Sequence, residues 1–158
     1  MAGYFLDTSA LAKLYHEESG SDYVESILNQ PGSTGIVSRL SLVEMESVLA
    51  IKVRTGALDE PGRTLALRRL RADIARGRLI VGPPIAPKHY RAAAKLLRLY
   101  GVLRGLRTLD ALQLAVALDM LEARLISVMV SADKRLCEVA EVCGCPAIDP
   151  AKPGLFQG

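Results

Sequence analysis

A chain of 158 residues, half of them hydrophobic, is the size of one domain and carries enough apolar surface to fold unaided, which excludes an intrinsically disordered protein and a disulfide-framed miniprotein. With no Trp, two Phe and five Tyr, stacking of bases on an aromatic platform is a poor fit, and no apolar run approaches the roughly 20 residues of a transmembrane helix. The net charge is only +3, yet residues 54–107 hold 13 Lys and Arg against three acids while the remainder holds 7 bases and 14 acids; this asymmetry points either to an anionic partner facing the middle of the chain or to a solvated, Arg-rich helical face.

Met1-Ala2-Gly3 carries no basic leader, and the apolar stretch after it is too short for a signal peptide, so a cytoplasmic protein with no membrane partner is expected. Tyr4-Phe5-Leu6 halts at Asp7-Thr8-Ser9, the pattern of a buried strand with an abrupt polar end. A helix is expected from Ala10 to Tyr15, capped by Ser9 or Asp7. Gly20-Ser21-Asp22 breaks it, and a second short helix runs to about Leu28, before Asn29-Gln30-Pro31-Gly32. Gly35–Ser38 reads as a strand. Ser41-Leu42-Val43-Glu44 has the capping-box pattern and is expected to open a helix that runs through Leu49 and Val53 to Gly56. A Leu- and Arg-rich helix from about Glu60 to Arg76 precedes a third strand, Leu79-Ile80-Val81, closed by Gly82-Pro83-Pro84.

Pro87 suits the first position of a helix reaching Tyr100. Thr108 is expected to cap a helix over Leu109–Leu118, apolar around most of its circumference and therefore deeply buried. Leu125–Val130 is a strand stopping at Ser131-Ala132-Asp133, a helix spans about Arg135 to Val142, and Ala147-Ile148 is a last short strand before Asp149-Pro150. Strands alternating with helices predict an α/β fold with a central parallel sheet flanked by helices. One domain over residues 1–150 and a peripheral tail over 151–158 are expected.

The acids stand out by position. In open α/β sheets ligands bind beyond the carboxyl ends of the strands, where Asp7 and Asp133 are predicted. Glu44 and Asp110 fall in the first turns of predicted helices. Each has a structural explanation: Asp7 and Asp133 as helix caps, Glu44 as the capping-box glutamate, Asp110 as a complement to the helix dipole. Asp110 suits its explanation least, because it precedes an almost wholly apolar helix where an unpaired carboxylate is costly. Carboxylates that converge need a cation, and oxygen-only ligands suit Mg²⁺ or Mn²⁺. Such an ion can activate water for in-line attack on phosphorus.

Four segments carry a family resemblance: Tyr4-Phe5-Leu6-Asp7-Thr8-Ser9-Ala10-Leu11, Ser38-Arg39-Leu40-Ser41-Leu42-Val43-Glu44, Arg107-Thr108-Leu109-Asp110-Ala111-Leu112-Gln113-Leu114-Ala115 and Val130-Ser131-Ala132-Asp133-Lys134-Arg135-Leu136. In order and spacing the chain resembles the PIN domain from residue 4 to about 149, above all the VapC-like ribonuclease toxins of prokaryotic toxin–antitoxin pairs. The resemblance implies a Rossmann-like parallel sheet, a Mg²⁺ or Mn²⁺ site, and endonucleolytic cleavage of single-stranded or loop RNA. It implies catalytic, metal-ligating roles for Asp7, Glu44, Asp110 and Asp133, supported by the hydroxyls of Thr8 and Ser131. It also implies a homodimer and a small antitoxin partner that covers the site. Gln113 stands where the family commonly has His, at a position with no catalytic role. Residues 56–105 carry none of the family's motifs.

Arg39 and Arg107, each near a site acid, are candidates for phosphate contacts. Asp149 is either a further site acid or a strand-end turn residue. His16 and His89 belong to no catalytic constellation and read as surface or partly packed residues. Cys137, Cys143 and Cys145 are odd in number, lack zinc-knuckle spacing, and read as small hydrophobes around a helix end in a reducing compartment. Competing functions are a catalytically inactive PIN-like RNA- or partner-binding module, a DNA nuclease with the same acids, and a phosphotransfer domain. The last wants a second acid beside Asp7, where Leu6, Thr8 and Ser9 stand instead.

Overall fold

Five parallel strands in the order β3-β2-β1-β4-β5 form the centre of a computed structural model that describes residues 2–155. The strands are β1 Gly3–Leu6, β2 Thr34–Val37, β3 Leu79–Val81, β4 Val128–Val130 and β5 Ala147–Ile148. The helices are α1 Thr8–Ala12, α2 Ser21–Leu28, α3 Arg39–Arg54, α4 Glu60–Ala75, α5 Pro87–Arg104, α6 Thr108–Glu122 and α7 Lys134–Val142. The α/β expectation holds. The register pairs Phe5 with Ile36 on one side and Met129 on the other, and Leu6 with Val130. Side chains alternate across a strand, so Phe5, Ile36 and Met129 share one face and Leu6, Val37, Leu79 and Val130 the other.

Each face has its own core. Phe5, Ile36 and Met129 pack with α5, α6 and α7 through residues such as Ala93, Leu114 and Leu136. Leu6, Val37 and Val130 pack with α1–α4 through Leu11, Val24, Met45 and Leu70. Large side chains buried this fully contribute roughly 1.5–3 kcal/mol each. As its apolar sequence requires, α6 buries Ala111, Leu114, Val116, Ala117 and Met120.

This layering divides the basic middle segment. Helix α4, with Arg68, Arg69 and Arg71, lies on one face of the sheet, whereas α5, with Arg91, Lys95 and Arg98, lies on the other. The bases close in sequence therefore do not form one strip.

Several element ends differ from expectation. The strand expected from Leu125 pairs only from Val128. Helix α5 runs a turn beyond Tyr100 because Gly105, at φ 65°, accepts the left-handed conformation that ends it. The first helix is only five residues long, since the chain turns at Lys13–Tyr15. Of the expected tail, residues 151–155 hold a turn and a 3₁₀ turn over Pro153–Leu155, and residues 156–158 lie outside the described residues. Among the described residues, no helix is long and apolar enough to cross a membrane.

Candidate active site

The strand order reverses between β1 and β4, and ligand crevices in open α/β sheets form at such a switch point, past the carboxyl ends of the strands. The Asp7 N–H donates to the Val130 carbonyl at 3.1 Å, extending the β1–β4 pairing by one residue. Asp7 and Ser131 therefore leave the sheet side by side, with α1 and α7 starting just beyond.

Asp7 is the N-cap of α1 and is 5% exposed. Its Oδ1 accepts from the Ala10 N–H (2.9 Å) and the Ser9 hydroxyl (2.6 Å), and its Oδ2 from the Ser131 hydroxyl (2.6 Å). Burial outweighs these bonds and pushes the carboxyl up to about 6, with the negative charge of Asp110 adding to the shift. The folded state thus binds this proton more tightly than the unfolded chain, whose value is 3.8. The stability this gives is complete below the unfolded value and is lost as pH rises through about 6. The metal-free protein is expected to melt lower at pH 7.5 than at pH 5, through a contribution of about 1–2 kcal/mol, the rest of the shift being lost already below pH 5. Asp7→Asn should flatten that part of the melting profile; a wild-type melting temperature unchanged across the interval would contradict it.

Asp133 caps α7, its Oδ1 accepting from Arg135 N–H (2.9 Å) and Leu136 N–H (3.2 Å). Ser131 ties the two acids together: its hydroxyl donates to Asp7 and accepts from the Asp133 N–H at 3.0 Å. Ser9 makes a parallel tie, donating to Asp7 and accepting from the Ala132 N–H at 2.8 Å.

Glu44 arrives differently from expectation. Helix α3 begins at Arg39, and its cap is Ser38, whose hydroxyl accepts from the Ser41 N–H at 3.2 Å. The short strand β2 ends at Val37, so the helix cap falls at Ser38, three residues before Ser41. Ser41 is consequently a buried residue of the first turn, and Glu44 lies beyond it with no backbone N–H of a helix start to cap. The capping-box explanation of Glu44 fails. Its Oε1 instead accepts from the Thr8 hydroxyl (3.0 Å) and from Gln113 Nε2 (2.8 Å).

Thr108 is likewise not a cap: Arg107 occupies the cap position of α6 without a side-chain cap bond, and Asp110 stands in the first turn. Burial holds the Asp110 carboxyl above its ordinary range, the charge of Asp133 raises it further, Arg107 opposes, and Glu44 adds to the rise. Glu44 and Asp110 line one cleft and Asp133 the next, with Arg107 common to both, and the charge of Asp110 reaches Asp7, so acids from four separate segments lie near one another at this end of the sheet.

Arg107 reaches over it, its Nε 3.7 Å from Asp110 and its Nη2 3.9 Å from Asp133, with the side chain 76% exposed. Pairs this long and exposed contribute little, so the guanidinium is a readily displaced counter-charge. Among the described residues, no three acidic, His or Cys side chains are already arranged to hold one ion. In this arrangement one oxygen of Glu44 is held by Thr8 and Gln113, and Arg107 stands near both Asp110 and Asp133. The donor set nonetheless fits a hard divalent cation, since it is oxygen-only and two of its carboxyls are held above their ordinary range.

Beneath the acids lies a polar network that sequence reasoning passed over. Gln113, 3% exposed, donates from Nε2 to Glu44 and to the Ser41 hydroxyl, both at 2.8 Å, with the Thr8 hydroxyl at 3.2 Å. Its Oε1 accepts from the Ser38 hydroxyl at 2.8 Å. One side chain of α6 thereby joins α1 and α3. The available signal was a lone amide inside the most apolar helix, because a buried amide demands partners.

The other candidates separate. Arg39 donates to the Gly82 carbonyl at 3.4 Å, toward the β3 edge rather than onto an acid. Asp149 accepts from the Ala151 N–H at 2.9 Å, as a turn residue does. His89 is buried, accepting from the Ala86 N–H and pairing with Asp119 at 2.9 Å, so it fastens α5 to α6; His16 is half-buried. Cys137 and Cys145 are buried, Cys143 is half-buried, and all three are free thiols. Burial, reinforced by the charge of Asp7, pushes the Cys137 thiol up to about 12, so it stays protonated.

The profile of the PIN domain family matches residues 4–142. Among solved structures the chain is similar to FitAcB from Neisseria gonorrhoeae (17% identity, 93% of this chain and 97% of that one, TM-score 0.61). It is also similar to VapBC2 from Rickettsia felis bound to a DNA fragment from their promoter (15% identity, 87% and 92%, TM-score 0.56). A third similarity is to PAE2754 from Pyrobaculum aerophilum (23% identity, 87% and 79%, TM-score 0.50). At these identities the structural likeness concerns the fold. No curated protein matches the sequence. Motifs, strand order and family profile agree over most of the chain, and the chain belongs to the PIN domain family, whose members are generally nucleases that use divalent metals.

Proposed function

We propose that the protein is an endoribonuclease dependent on Mg²⁺ or Mn²⁺, acting on single-stranded or loop RNA as the toxin of a toxin–antitoxin pair. The observation that carries this reading is the gathering of Asp7, Glu44, Asp110 and Asp133 at the switch point, with Asp110 held above its ordinary range by burial and by the charges of Asp133 and Glu44. These four would hold the ion. Bound there, it supplies a more acidic water and charge stabilisation at phosphorus. The chain's own groups do the rest. Ser9 and Ser131 fix both oxygens of Asp7. Thr8 and Gln113 fix one oxygen of Glu44 and leave the other for the ion. Arg107, released from Asp110 and Asp133, contacts a phosphate oxygen.

Purified protein is expected to cleave single-stranded RNA with Mn²⁺ or Mg²⁺ and to stop in excess chelator, while a matched DNA strand is spared. Equal cleavage in chelator removes the metal reading, and preferred cleavage of DNA makes the protein a DNA nuclease. Metal binding without cleavage of either makes it an inactive binding module.

A homodimer and a small antitoxin complete the reading. The resemblance to VapC-like toxins supports the antitoxin, and VapBC2 is among the chains of similar fold. The homodimer rests on the same resemblance; sedimentation at the mass of one chain would remove it.

A further inference from the structure

Three open clefts lie in a row beside the acids and share walls. The first, of 440 Å³, is bounded by Glu44, Asp110 and Arg107. The second, of 540 Å³, runs from Arg107 and Ser9 past Asp133 to Lys134 and Arg135. The third, of 570 Å³, continues from Arg135 to Gly105, Arg104 and Glu138. Arg107 belongs to the first two and Arg135 to the last two, so the clefts form one groove leading from the acidic crevice across the start of α7 to the end of α5.

The charge along it changes sign. Past the site acids the walls carry Lys134, Arg135 and Arg104 against Glu138 alone. Glu138 holds Arg104 at 3.6 Å and Lys134 at 3.9 Å, pairs that are long and well exposed and therefore weak. Among the described residues, Arg135 forms no ion pair. Its guanidinium lies along the bare face of Gly105, where a Cβ would stand 3.2 Å from Nη1. The glycine that ends α5 thus also leaves the room in which this cation stretches along the groove. Among the described residues the large apolar side chains on these walls are Leu109 beside the acids and Leu103 at the far end, and the stretch between them is polar and charged, which suits a polyanionic backbone better than a peptide needing side-chain pockets.

We infer that this groove holds the sugar–phosphate backbone of a single RNA strand on its way into or out of the acidic crevice, with Lys134 and Arg135 contacting phosphates. The identity of the strand rests on the nuclease reading above; the course of the groove rests on the clefts and their charges.

The test separates binding from cleavage. Affinity of the full chain for a short single-stranded RNA is measured by fluorescence anisotropy in excess chelator across a salt series, and cleavage is followed separately with Mn²⁺. Lys134→Gln and Arg135→Gln are each expected to weaken binding at low salt and to make the log–log salt slope shallower by about 0.7; the double variant loses both increments. Arg124→Gln, the same charge change at the opposite end of the strands, is the control. Melting curves of each variant verify folding, and the two single variants guard against a misfolded double. Slopes unchanged in both groove variants, or changed equally by Arg124→Gln, overturn the inference while leaving any observed cleavage, and hence the nuclease reading, in place. A groove-dependent slope in a protein that cleaves nothing upholds the groove and sinks the nuclease reading. If the groove variants lose binding to polyglutamate but not to RNA, the groove serves an acidic protein partner and the inference is wrong.

Discussion

Asp110→Asn is expected to abolish RNA cleavage and at the same time to stabilise the metal-free fold. The two effects have one cause. Asp110 is a carboxyl raised first by burial and then by the charges of Asp133 and Glu44, so its ionised form is strained in the absence of a cation. Asparagine keeps the shape and removes the charge. Arg107 loses one of its two acidic neighbours, but at 76% exposure and 3.7 Å that contact contributes little. The gain is expected to be about 1 kcal/mol after screening, or a rise of about 2–4 °C in melting temperature for a chain of this size. Cleavage should fall by at least about 100-fold, the usual cost of removing one preorganised group that acts on charge in the transition state. Adding Mn²⁺ should raise the melting temperature of the wild type, because metal binds only the folded state, and raise that of the variant much less. If Asp110 served only the dipole of α6, the variant would instead be less stable by a few tenths of a kcal/mol to about 1. Neither protein would then respond to metal. Melts of both, in chelator and in Mn²⁺, decide between these.

Gln113→Leu is expected to have the larger effect on the fold. The amide is 3% exposed and serves Ser38, Ser41, Thr8 and Glu44 at 2.8–3.2 Å. Leucine fills similar space but leaves these groups short of partners, at a cost of about 1–3 kcal/mol for each that finds no substitute. Because the hydroxyls can re-pair among themselves, a net loss of about 3 kcal/mol is expected, or roughly 6–12 °C in melting temperature. Glu44 also loses its strongest tether, and removal of such an outer-shell partner typically weakens metal binding about 10- to 100-fold. Gln113→Glu, which retains the Ser38 contact but places a second carboxylate against Glu44, should recover little metal affinity. Thermal melts and a Mn²⁺ titration of the leucine variant check both parts; unchanged stability and unchanged affinity would show that the network positions nothing.

The strands were legible because a strand of a parallel sheet covered by helices leaves a simple mark, a short apolar run stopped by Gly, Pro or polar residues. Leu79–Val81 and Ala147–Ile148 lie where that mark places them, and Tyr4-Phe5-Leu6 and Leu125–Val130 each contain the observed strand or most of it. The same mark located Asp7 and Asp133 at strand ends, and the dual use of each carboxylate, capping a helix with one oxygen while facing the crevice, is why the cap explanation and the site explanation both fitted them. Where local signals competed, the sequence was ambiguous. The capping-box pattern pointed to Ser41 as the start of α3, whereas the end of the β2 pairing at Val37 puts the cap at Ser38, three residues earlier.

What the sequence determined by itself was the alternation of strands and helices, hence the parallel sheet, and it named four acids as candidates for the site. Each of these is written in residues close together in the chain. The tertiary structure alone decided which distant residues meet. It set Gln113 of α6 against Thr8 and Glu44, it divided the basic segment between the two faces of the sheet, and it brought Lys134 and Arg135 alongside Gly105 to continue the groove. The physical reason is the same in all three. Such contacts follow from strand order and from the face of the sheet on which each helix packs, and those are set by the combined burial of the two cores rather than by any local pattern of residues.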